Sequence, residues 1–201
     1  MILAAVIDYG AGNLFSISKA LERTGFEVKT TNNPEDLEKS DTIVLPGVGN
    51  FGPAAKRLEP LKDTITDEVN SGKLFLGSCL GMQLLFDRSE ESPGDGLGIV
   101  EGEVEKFGEK VKIPHMGWNT IKRERDSPVL NNIPDESYFY FVHSYYPKPE
   151  YSRDILTVTT YGRTFTSIVE RKNIIGAQFH PEKSGEMGAR LLENFASMVK
   201  K

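Results

Sequence analysis

The apolar and polar positions of the first fifty residues alternate between the pattern of strands and that of helices. Three short runs have the length of strands: 2–7, 26–31 and 42–45. Between the first two, Leu14, Ile17 and Leu21 recur at helical spacing. Asn33 followed by Pro34 is typical of the start of a short helix. Strands that alternate with helices predict an α/β fold with a parallel sheet.

The pattern changes after about residue 99. Helical spacing occurs before this point, at 53–70. After it, short strand-like runs recur, at 100–107, 110–113, 118–122, 137–142, 155–160, 165–170 and 174–179. They predict a mostly antiparallel region packed beside the parallel sheet. A stripe formed by Met187, Leu191 and Phe195 predicts a final helix from 184 to about 200. Because no linker-like segment divides the chain, residues 1–201 are predicted to form a single domain.

Composition and charge narrow the function classes. The 201 residues are 38% hydrophobic and carry a net charge of −5, and no basic tract suggests binding to nucleic acid or to a membrane surface. The apolar start is only seven residues long and lacks a basic leader, so we interpret it as a buried strand. The one cysteine, Cys79, can form no internal disulfide bond. A cytoplasmic protein is expected.

That cysteine lies in a sequence typical of a reactive residue. A short apolar run at 74–76 precedes it, and Leu84 and Leu85 continue an apolar stripe after it. Between them, Gly77 and Gly81 flank Cys79 in the Gly-x-nucleophile-x-Gly pattern of a sharp strand-to-helix turn. Such a turn exposes the side chain at the end of the sheet, and the following helix N-terminus stabilises a thiolate. The pattern predicts a nucleophile.

A nucleophilic thiol needs a base, and His180 is the best candidate of three histidines. It precedes a proline, which favours extended backbone, so Glu182 two residues later points to the same side. The carboxylate would orient the imidazole, and the imidazole would serve Cys79. The alternative is an inert core cysteine and an ordinary turn. The elbow glycines and the His-x-Glu pair coincide, which favours catalysis. The sequence contains neither a His-Glu-x-x-His motif nor a second cysteine, so no metal site is expected.

Two glycine-rich turns and an aromatic run allow more than one interpretation. The N–H groups of Leu80 and of the 46–49 segment are natural donors to an oxyanion, although a phosphate-binding or plain turn explains the glycines at 47 and 49 equally well. The turn at Gly10 and Gly12 is favoured as purely structural, because the third glycine of a dinucleotide motif is missing. The run at 138–146 alternates like a strand and favours sheet packing over a partner surface.

Together these motifs resemble class I (triad) glutamine amidotransferases, and within that class the glutaminase subunits of imidazole glycerol phosphate synthase. The two strongest motifs are 77–83 (Gly-Ser-Cys-Leu-Gly-Met-Gln) and 179–184 (Phe-His-Pro-Glu-Lys-Ser). The supporting motifs are 8–13 (Asp-Tyr-Gly-Ala-Gly-Asn), 46–52 (Pro-Gly-Val-Gly-Asn-Phe-Gly), 114–119 (Pro-His-Met-Gly-Trp-Asn) and 141–145 (Phe-Val-His-Ser-Tyr). They cover nearly the whole chain in the order of the family.

The resemblance implies a flavodoxin-like three-layer α/β sandwich, with a central mostly parallel sheet and additional antiparallel strands. It implies that Cys79 attacks the side-chain amide of L-glutamine and forms a thioester, with His180 as base and acid and Glu182 orienting it. It also implies oxyanion donors at Gly49 and Leu80. The residues implied to bind the two ends of the substrate are Gln83, Glu91, Ser144 and Tyr145. No cofactor is implied.

The resemblance further implies a partner. Ammonia would pass into a (β/α)8-barrel cyclase subunit, in a heterodimer that makes imidazole glycerol phosphate and an aminoimidazole carboxamide ribonucleotide for histidine biosynthesis. The positions that match the family's interface are Asn13, Trp118, Tyr140 and Lys183. Two alternatives remain: the glutaminase of another synthase, such as pyridoxal phosphate synthase, and a non-catalytic binding module on the same fold.

Overall fold

The first part of the chain forms the alternating strands and helices that its pattern predicts. In the computed structural model, which describes residues 2–108 and 111–199, the order is β1 Ile2–Ile7, α1 Leu14–Arg23, β2 Phe26–Thr31, α2 Pro34–Lys39 and β3 Thr42–Gly47. The side chains of Asn13 and Asn33 accept hydrogen bonds from the first turns of α1 and α2 and so fix their starts. The predicted α/β alternation is confirmed.

The middle of the chain forms two helices and the strand that carries the cysteine. They are α3 Phe51–Leu58, α4 Lys62–Asn70, β4 Leu74–Cys79 and α5 Leu80–Gln83. The helical pattern predicted over 53–70 is interrupted by a 3-10 turn at Glu59–Leu61, where Pro60 lacks the N–H that a continuous helix would use.

The rest of the described chain is rich in strands and ends in a helix. The elements are β5 Arg88–Ser89, β6 Gly102–Lys106, β7 His115–Arg123, β8 Ser137–His143, β9 Tyr145–Pro149, β10 Ile155–Tyr161, β11 Arg163–Arg171, β12 Ile174–Ala177 and α6 Gly185–Met198. Short 3-10 turns occur at Pro128–Leu130, Ser152–Asp154 and Pro181–Lys183.

One nine-stranded sheet runs through the molecule in the order β2-β1-β3-β4-β12-β11-β10-β7-β8. The first five strands pair in parallel, in the flavodoxin-like order in which the first strand lies between the second and the third. The last four pair antiparallel. A separate small sheet has the order β5-β6-β9.

Both faces of the parallel strands are buried, which gives the molecule three layers. Along β1, Ala4 and Val6 pack on one side and Ala5 and Ile7 on the other. The first side is covered by α1 and α6, and the second by α2, α3, α4 and α5. The predicted three-layer sandwich with additional antiparallel strands is confirmed.

Several local predictions differ from the structure. The antiparallel strands extend the main sheet instead of packing beside it, and β12 joins the parallel part next to β4. The strand predicted at 110–113 is wrong over 111–113, which form no strand, and its first residue lies outside the described residues. The final helix ends at Met198, and position 200 also lies outside the described residues.

The parallel arrangement brings the ends of three strands together. Cys79, at the end of β4, pairs with Gly47 at the end of β3, and its neighbour Ser78 pairs with Ala177 at the end of β12. Segments that leave the ends of neighbouring parallel strands meet at one edge of the sheet, which is where open α/β folds bind ligands. Within the described residues, no helix combines the length and the apolar character needed to cross a bilayer.

Candidate active site

Cys79 occupies a backbone conformation that side chains rarely adopt. Its φ is 54° and its ψ is −112°, at the junction of β4 and α5. A β-carbon on Gly77 would lie 2.7 Å from the Gly81 carbonyl oxygen, and one on Gly81 would overlap the Leu45 carbonyl. The two glycines are therefore required by close packing of backbone on both sides of the turn. Strained backbone of this kind is typical of functional sites.

The helix after the elbow is shorter than the sequence pattern predicts. It ends at Gln83, whereas the apolar stripe continues to Leu85. The Leu84 carbonyl accepts a hydrogen bond from the Leu97 N–H, and the Leu85 carbonyl accepts from Ile99. The incoming 97–100 segment therefore takes acceptors that further helical turns would have used.

His180 and Glu182 form a buried pair next to the elbow. His180 Nδ1 lies 3.0 Å from Glu182 Oε1, and their side chains are 2% and 3% exposed. Among the described residues, His180 Nε2 has no hydrogen-bond partner, nor does Glu182 Oε2. The carboxylate holds one ring nitrogen and leaves the other available, as a catalytic base requires.

The electrostatic environment of His180 differs from that of the other two histidines. Burial disfavours the charged imidazole, but interactions with the Cys79 sulfur and the Glu182 carboxylate outweigh this and raise the pKa of His180 to about 10. Among the described residues no carboxylate is bonded to His115 or His143, and burial lowers their pKa values to about 4 and about 3. His180 is thus the histidine that the structure keeps protonated beside the sulfur.

The Cys79 sulfur has two polar neighbours besides the imidazole. It lies 3.8 Å from the Val142 carbonyl oxygen, to which a thiol can donate. The Gln178 side-chain nitrogen donates to it across 3.9 Å. Cys79 is 6% exposed, so the sulfur lies at the inner end of its cavity rather than on the open surface.

A cavity of about 300 Å³ opens above the sulfur. The predicted site residues that line it are Gly49, Cys79, Leu80, Gln83, Glu91, Ser144 and Tyr145. His180 and Glu182 are buried and do not line it. The volume suits a molecule of the size of an amino acid. In the described residues, no group of three or more His, Cys, Asp or Glu side chains is arranged to hold a metal ion.

The proposed oxyanion segment, residues 46–49, is held by a hydrogen bond at Pro46 and is exposed at Val48 and Gly49. The buried Tyr9 hydroxyl donates to the Pro46 carbonyl across 3.0 Å. Val48 and Gly49 are exposed, and Gly49 has a φ of 111°, a conformation that favours glycine. Val48, Gly49 and Leu80 thus line the same cavity as Cys79.

Glu91 links the cavity to the start of α3. Its Oε2 accepts a hydrogen bond from the Phe51 N–H at 2.7 Å, and the neighbouring Ser92 hydroxyl accepts from Gly52 at 2.8 Å. Burial raises the pKa of the Glu91 carboxyl, while the bond from Phe51 opposes the rise. The second carboxylate oxygen is available to a cation in the cavity.

Some residues near the sulfur were not predicted as site residues. Val48, Pro114, Val142 and His143 line the cavity, and Gln178 contacts the sulfur. His143 lies inside a motif that carries the family resemblance, and Gln178 lies directly before another. The sequence therefore marked both positions as candidates for the site. Val142 contacts the sulfur through its backbone, for which no side-chain pattern exists.

The four predicted interface residues lie on or beside one exposed face. Trp118 on β7 pairs with Tyr140 on β8, and their rings meet edge to face at 6.0 Å. Trp118 is 55% exposed and also lies beside Gly185, which follows the turn that contains the exposed Lys183. Asn13 caps α1, which packs against that turn. Met116 and Tyr138 extend the exposed surface along the two strands. We call Met116, Trp118, Tyr138 and Tyr140 the aromatic face.

Comparisons with known proteins agree with this geometry. The family described as "Glutamine amidotransferase class-I" matches residues 5–199. The chain is 50% identical over 198 residues to "Imidazole glycerol phosphate synthase subunit HisH" of Methanocaldococcus jannaschii, an alignment that covers 98% of this chain and 100% of the relative. It is 49% identical to the protein of the same name from Thermococcus kodakarensis, over 96% of this chain and 98% of the relative.

Solved structures share the fold at lower identity. The structure of PurLQS from Thermotoga maritima superimposes with a TM-score of 0.81 at 20% identity and covers 99% of both chains. The glutaminase domain of CTPS from Trypanosoma brucei, solved with bound acivicin, gives a TM-score of 0.70 at 17% identity and covers 100% of this chain and 96% of the other. The chain belongs to the class-I glutamine amidotransferase family and, within it, to the family of imidazole glycerol phosphate synthase HisH subunits.

Proposed function

We propose that this protein is the glutaminase subunit of a cytoplasmic imidazole glycerol phosphate synthase. It hydrolyses L-glutamine to glutamate and ammonia, and the ammonia passes to a cyclase subunit that makes imidazole glycerol phosphate and an aminoimidazole carboxamide ribonucleotide. The observation that supports this most is the convergence of a strained cysteine and a buried His–Glu pair beside a cavity of about 300 Å³.

The proposed chemistry has two halves. The Cys79 thiolate attacks the side-chain amide carbon of glutamine, and the developing oxyanion accepts hydrogen bonds from the Leu80 N–H and the Gly49 region. The carbon–nitrogen bond then breaks, and the leaving group departs as ammonia with the proton held by His180. A water molecule then attacks the thioester carbon and gives a proton to the imidazole. The carbon–sulfur bond breaks, which releases glutamate and restores the thiolate beside the protonated imidazole.

The proposed binding of the amino-acid end uses residues on the far wall of the cavity. The Glu91 oxygen that does not cap α3 suits the α-ammonium group. Ser144 and Tyr145 would hold the α-carboxylate by hydrogen bonds. The Gln83 side-chain oxygen would accept from the α-ammonium group, because both N–H groups of that amide are bonded inside the protein. In this pose the side-chain amide extends toward the sulfur, and the cavity of about 300 Å³ has room for the substrate.

The proposed partner docks on the aromatic face. An exposed patch with Trp118 at 55%, Met116 at 62% and Tyr138 at 61% exposure is unusual for a free surface and typical of a protein interface. The neighbouring Lys183 favours an acidic group on the partner. A position at this face suits the transfer of ammonia, because β8, whose residues 142–143 line the cavity, also carries part of the face.

A reconstitution experiment tests the proposal. The chain is mixed with its own imidazole glycerol phosphate synthase cyclase subunit, and glutamate release is measured with and without the ribonucleotide ligand of the cyclase. We expect release that depends on the cyclase and that is lost in Cys79→Ala. The matched control is Ser197→Ala, which changes a small exposed residue on α6, far along the helix from the site turn.

The outcomes separate the alternatives. Release that the cyclase fails to stimulate, but that the synthase subunit of pyridoxal phosphate synthase does stimulate, would assign the chain to that pathway instead. Glutamate release that survives in Cys79→Ala rules out the cysteine mechanism. No release with either partner favours a non-catalytic module.

A further inference from the structure

We propose that Gln178 is a hydrogen-bond donor to the Cys79 sulfur, held in that orientation by Gln83, and that it stabilises the thiolate as a donor separate from the imidazole. This inference deepens the proposed function, since it concerns the same nucleophile. Gln178 is completely buried and follows β12 directly. No role was expected for it, and Gln83 was expected only to bind substrate.

The orientation of the Gln83 amide is set by a backbone carbonyl. Its side-chain nitrogen lies 3.0 Å from the Tyr145 carbonyl oxygen, which can only accept hydrogen bonds. The same nitrogen lies 3.0 Å from Gln178 Oε1. The two N–H groups of Gln83 are therefore both in use, and its nitrogen and oxygen cannot be exchanged without the loss of both bonds.

The orientation of Gln178 follows from that of Gln83. Because Gln178 Oε1 accepts from Gln83, the nitrogen of the same amide is the atom that faces Cys79, 3.9 Å from the sulfur. With the two ends exchanged, a carbonyl oxygen would face the sulfur, and two N–H groups would face each other. The packing therefore presents an N–H group to the nucleophile.

A second chain of hydrogen bonds fixes the Tyr145 carbonyl from the other side. His143 Nδ1 lies 2.8 Å from that oxygen and must donate to it, so His143 Nε2 accepts from His115 Nδ1 at 3.0 Å. His115 Nε2 then accepts from the Asn119 side-chain nitrogen at 3.2 Å, which also donates to the Thr160 carbonyl. Because the Tyr145 and Thr160 carbonyls can only accept, this series of hydrogen bonds can run from donor to acceptor in only one way.

Both histidines are suited to this static role. Burial lowers the pKa of His143 to about 3 and that of His115 to about 4, so both rings stay neutral and keep one donor and one acceptor. The network starts next to Trp118 of the aromatic face and ends at the sulfur. Its effect at that end is to hold the Gln83–Gln178 pair.

The Gln178 donor matters because the other polar neighbour of the sulfur, the Val142 carbonyl, favours the thiol over the thiolate. The Val142 carbonyl can accept a hydrogen bond from the thiol and repels a thiolate. A hydrogen bond to the charged form stabilises that form, and a bond to an ionised acceptor is stronger than a neutral one. The Gln178 N–H group thus offsets the effect of Val142 when the thiolate forms.

Two substitutions of Gln178 distinguish the loss of the hydrogen-bond donor to the sulfur from the loss of the contact with Gln83. Gln178→Met removes the donor without adding a charge. Gln178→Glu retains an oxygen for the Gln83 N–H group and replaces the donor to the sulfur by a carboxylate oxygen, whose charge also disfavours the thiolate. The matched control is Ser167→Ala on β11, which deletes a buried side-chain hydrogen bond to Thr157 and keeps the Ser167 backbone carbonyl that accepts from the Gln178 backbone N–H.

The readouts are alkylation of Cys79 by iodoacetamide at neutral pH and the kinetics of the reconstituted complex. We expect alkylation to slow by at least about fivefold in both Gln178 variants, and kcat to fall by about tenfold or more, with KM for glutamine changed by less than about threefold. Ser167→Ala should alkylate at the unmodified rate.

Two results overturn the inference. One is a folded Gln178 variant, either of the two, whose cysteine reacts at the unmodified rate. The other is a loss confined to KM, which would make the residue part of the substrate site. If the proposed function itself is wrong, the unmodified protein releases no glutamate. That result does not depend on the residue at position 178, so the two failures can be told apart.

Discussion

Glu182→Gln removes the charge that distinguishes His180 from the other two buried histidines. The amide has the shape of the carboxylate, and the side chain is 3% exposed, so the change leaves the packing intact. Burial alone drives the pKa of an imidazole down here, as His115 shows with a value of about 4. Without the carboxylate, His180 keeps the sulfur as its only strong charge partner among the causes that raise its pKa to about 10.

The size of the effect follows from the bond that is lost. A hydrogen bond to a charged group contributes about 1.5 to 3 kcal/mol, which corresponds to roughly 10- to 150-fold in rate. The pH dependence has a definite sign. The folded pKa of His180 is raised, so the imidazolium persists up to about pH 10 and is lost above it. In Glu182→Gln this loss moves to lower pH, and the alkaline limb of the rate profile moves with it.

The assay is glutamate release by the reconstituted complex across the pH range, with alkylation of Cys79 in the free chain as a second readout. Glu186→Gln is the matched control, because Glu186 lies in the exposed first turn of α6, four residues further along. A folded Glu182→Gln protein with an unchanged rate and an unchanged alkaline limb would refute the role of the carboxylate.

Three further changes test the elbow, the aromatic face and the buried histidines. Gly81→Ala should lower the free energy of unfolding by at least about 2 kcal/mol in urea, because its β-carbon overlaps the Leu45 carbonyl, whereas Gly108→Ala, with open space around it, should change it by less than about 0.5 kcal/mol. Trp118→Ala should weaken binding of the cyclase in calorimetry by about 30-fold or more, and equal affinity would exclude this face. His115 and His143 have lowered pKa values in the fold, so the unfolded chain binds protons first as pH falls. Stability should therefore drop below about pH 6.5, by up to about 2 kcal/mol per histidine at pH 5, and a flat pH profile in thermal melts would contradict their burial as neutral rings.

The parallel half of the fold could be predicted because its information is local. Strands 2–7 and 26–31 begin and end where the pattern places them, and the Asn33–Pro34 cap starts α2 as expected. Each of these features depends on residues a few positions apart. The antiparallel half depends on pairing between distant segments, and the pattern of 174–179 gives no sign that β12 lies in parallel beside β4.

The missed elements have specific physical causes. β9 contains Pro147 and Pro149, which argue against a strand, but it is an edge strand and pairs on one side only, with β6. The helix after Cys79 ends at Gln83, because the carbonyl groups of Leu84 and Leu85, which a longer helix would use, accept hydrogen bonds from the 97–100 segment instead. Neither cause can be read from the residues around the element itself.

The same distinction between local and long-range information applies to the candidate site. The elbow glycines and the His-x-Glu spacing pointed to Cys79, His180 and Glu182 from local chemistry, and the structure brings these three together. Gln178 and Val142 could not be found in this way, because Gln178 carries a neutral amide with no catalytic signature and Val142 contacts the sulfur through its backbone carbonyl.

The most direct test of the account is a trapping experiment on the nucleophile. A glutamine analogue that carries an electrophile at its side-chain end is added to the reconstituted complex, and the modified residue and its rate are determined by mass spectrometry. The account predicts a single adduct on Cys79, formed at least about 100-fold more slowly in His180→Asn. An adduct elsewhere, or labelling of Cys79 at an unchanged rate in folded His180→Asn, would contradict it.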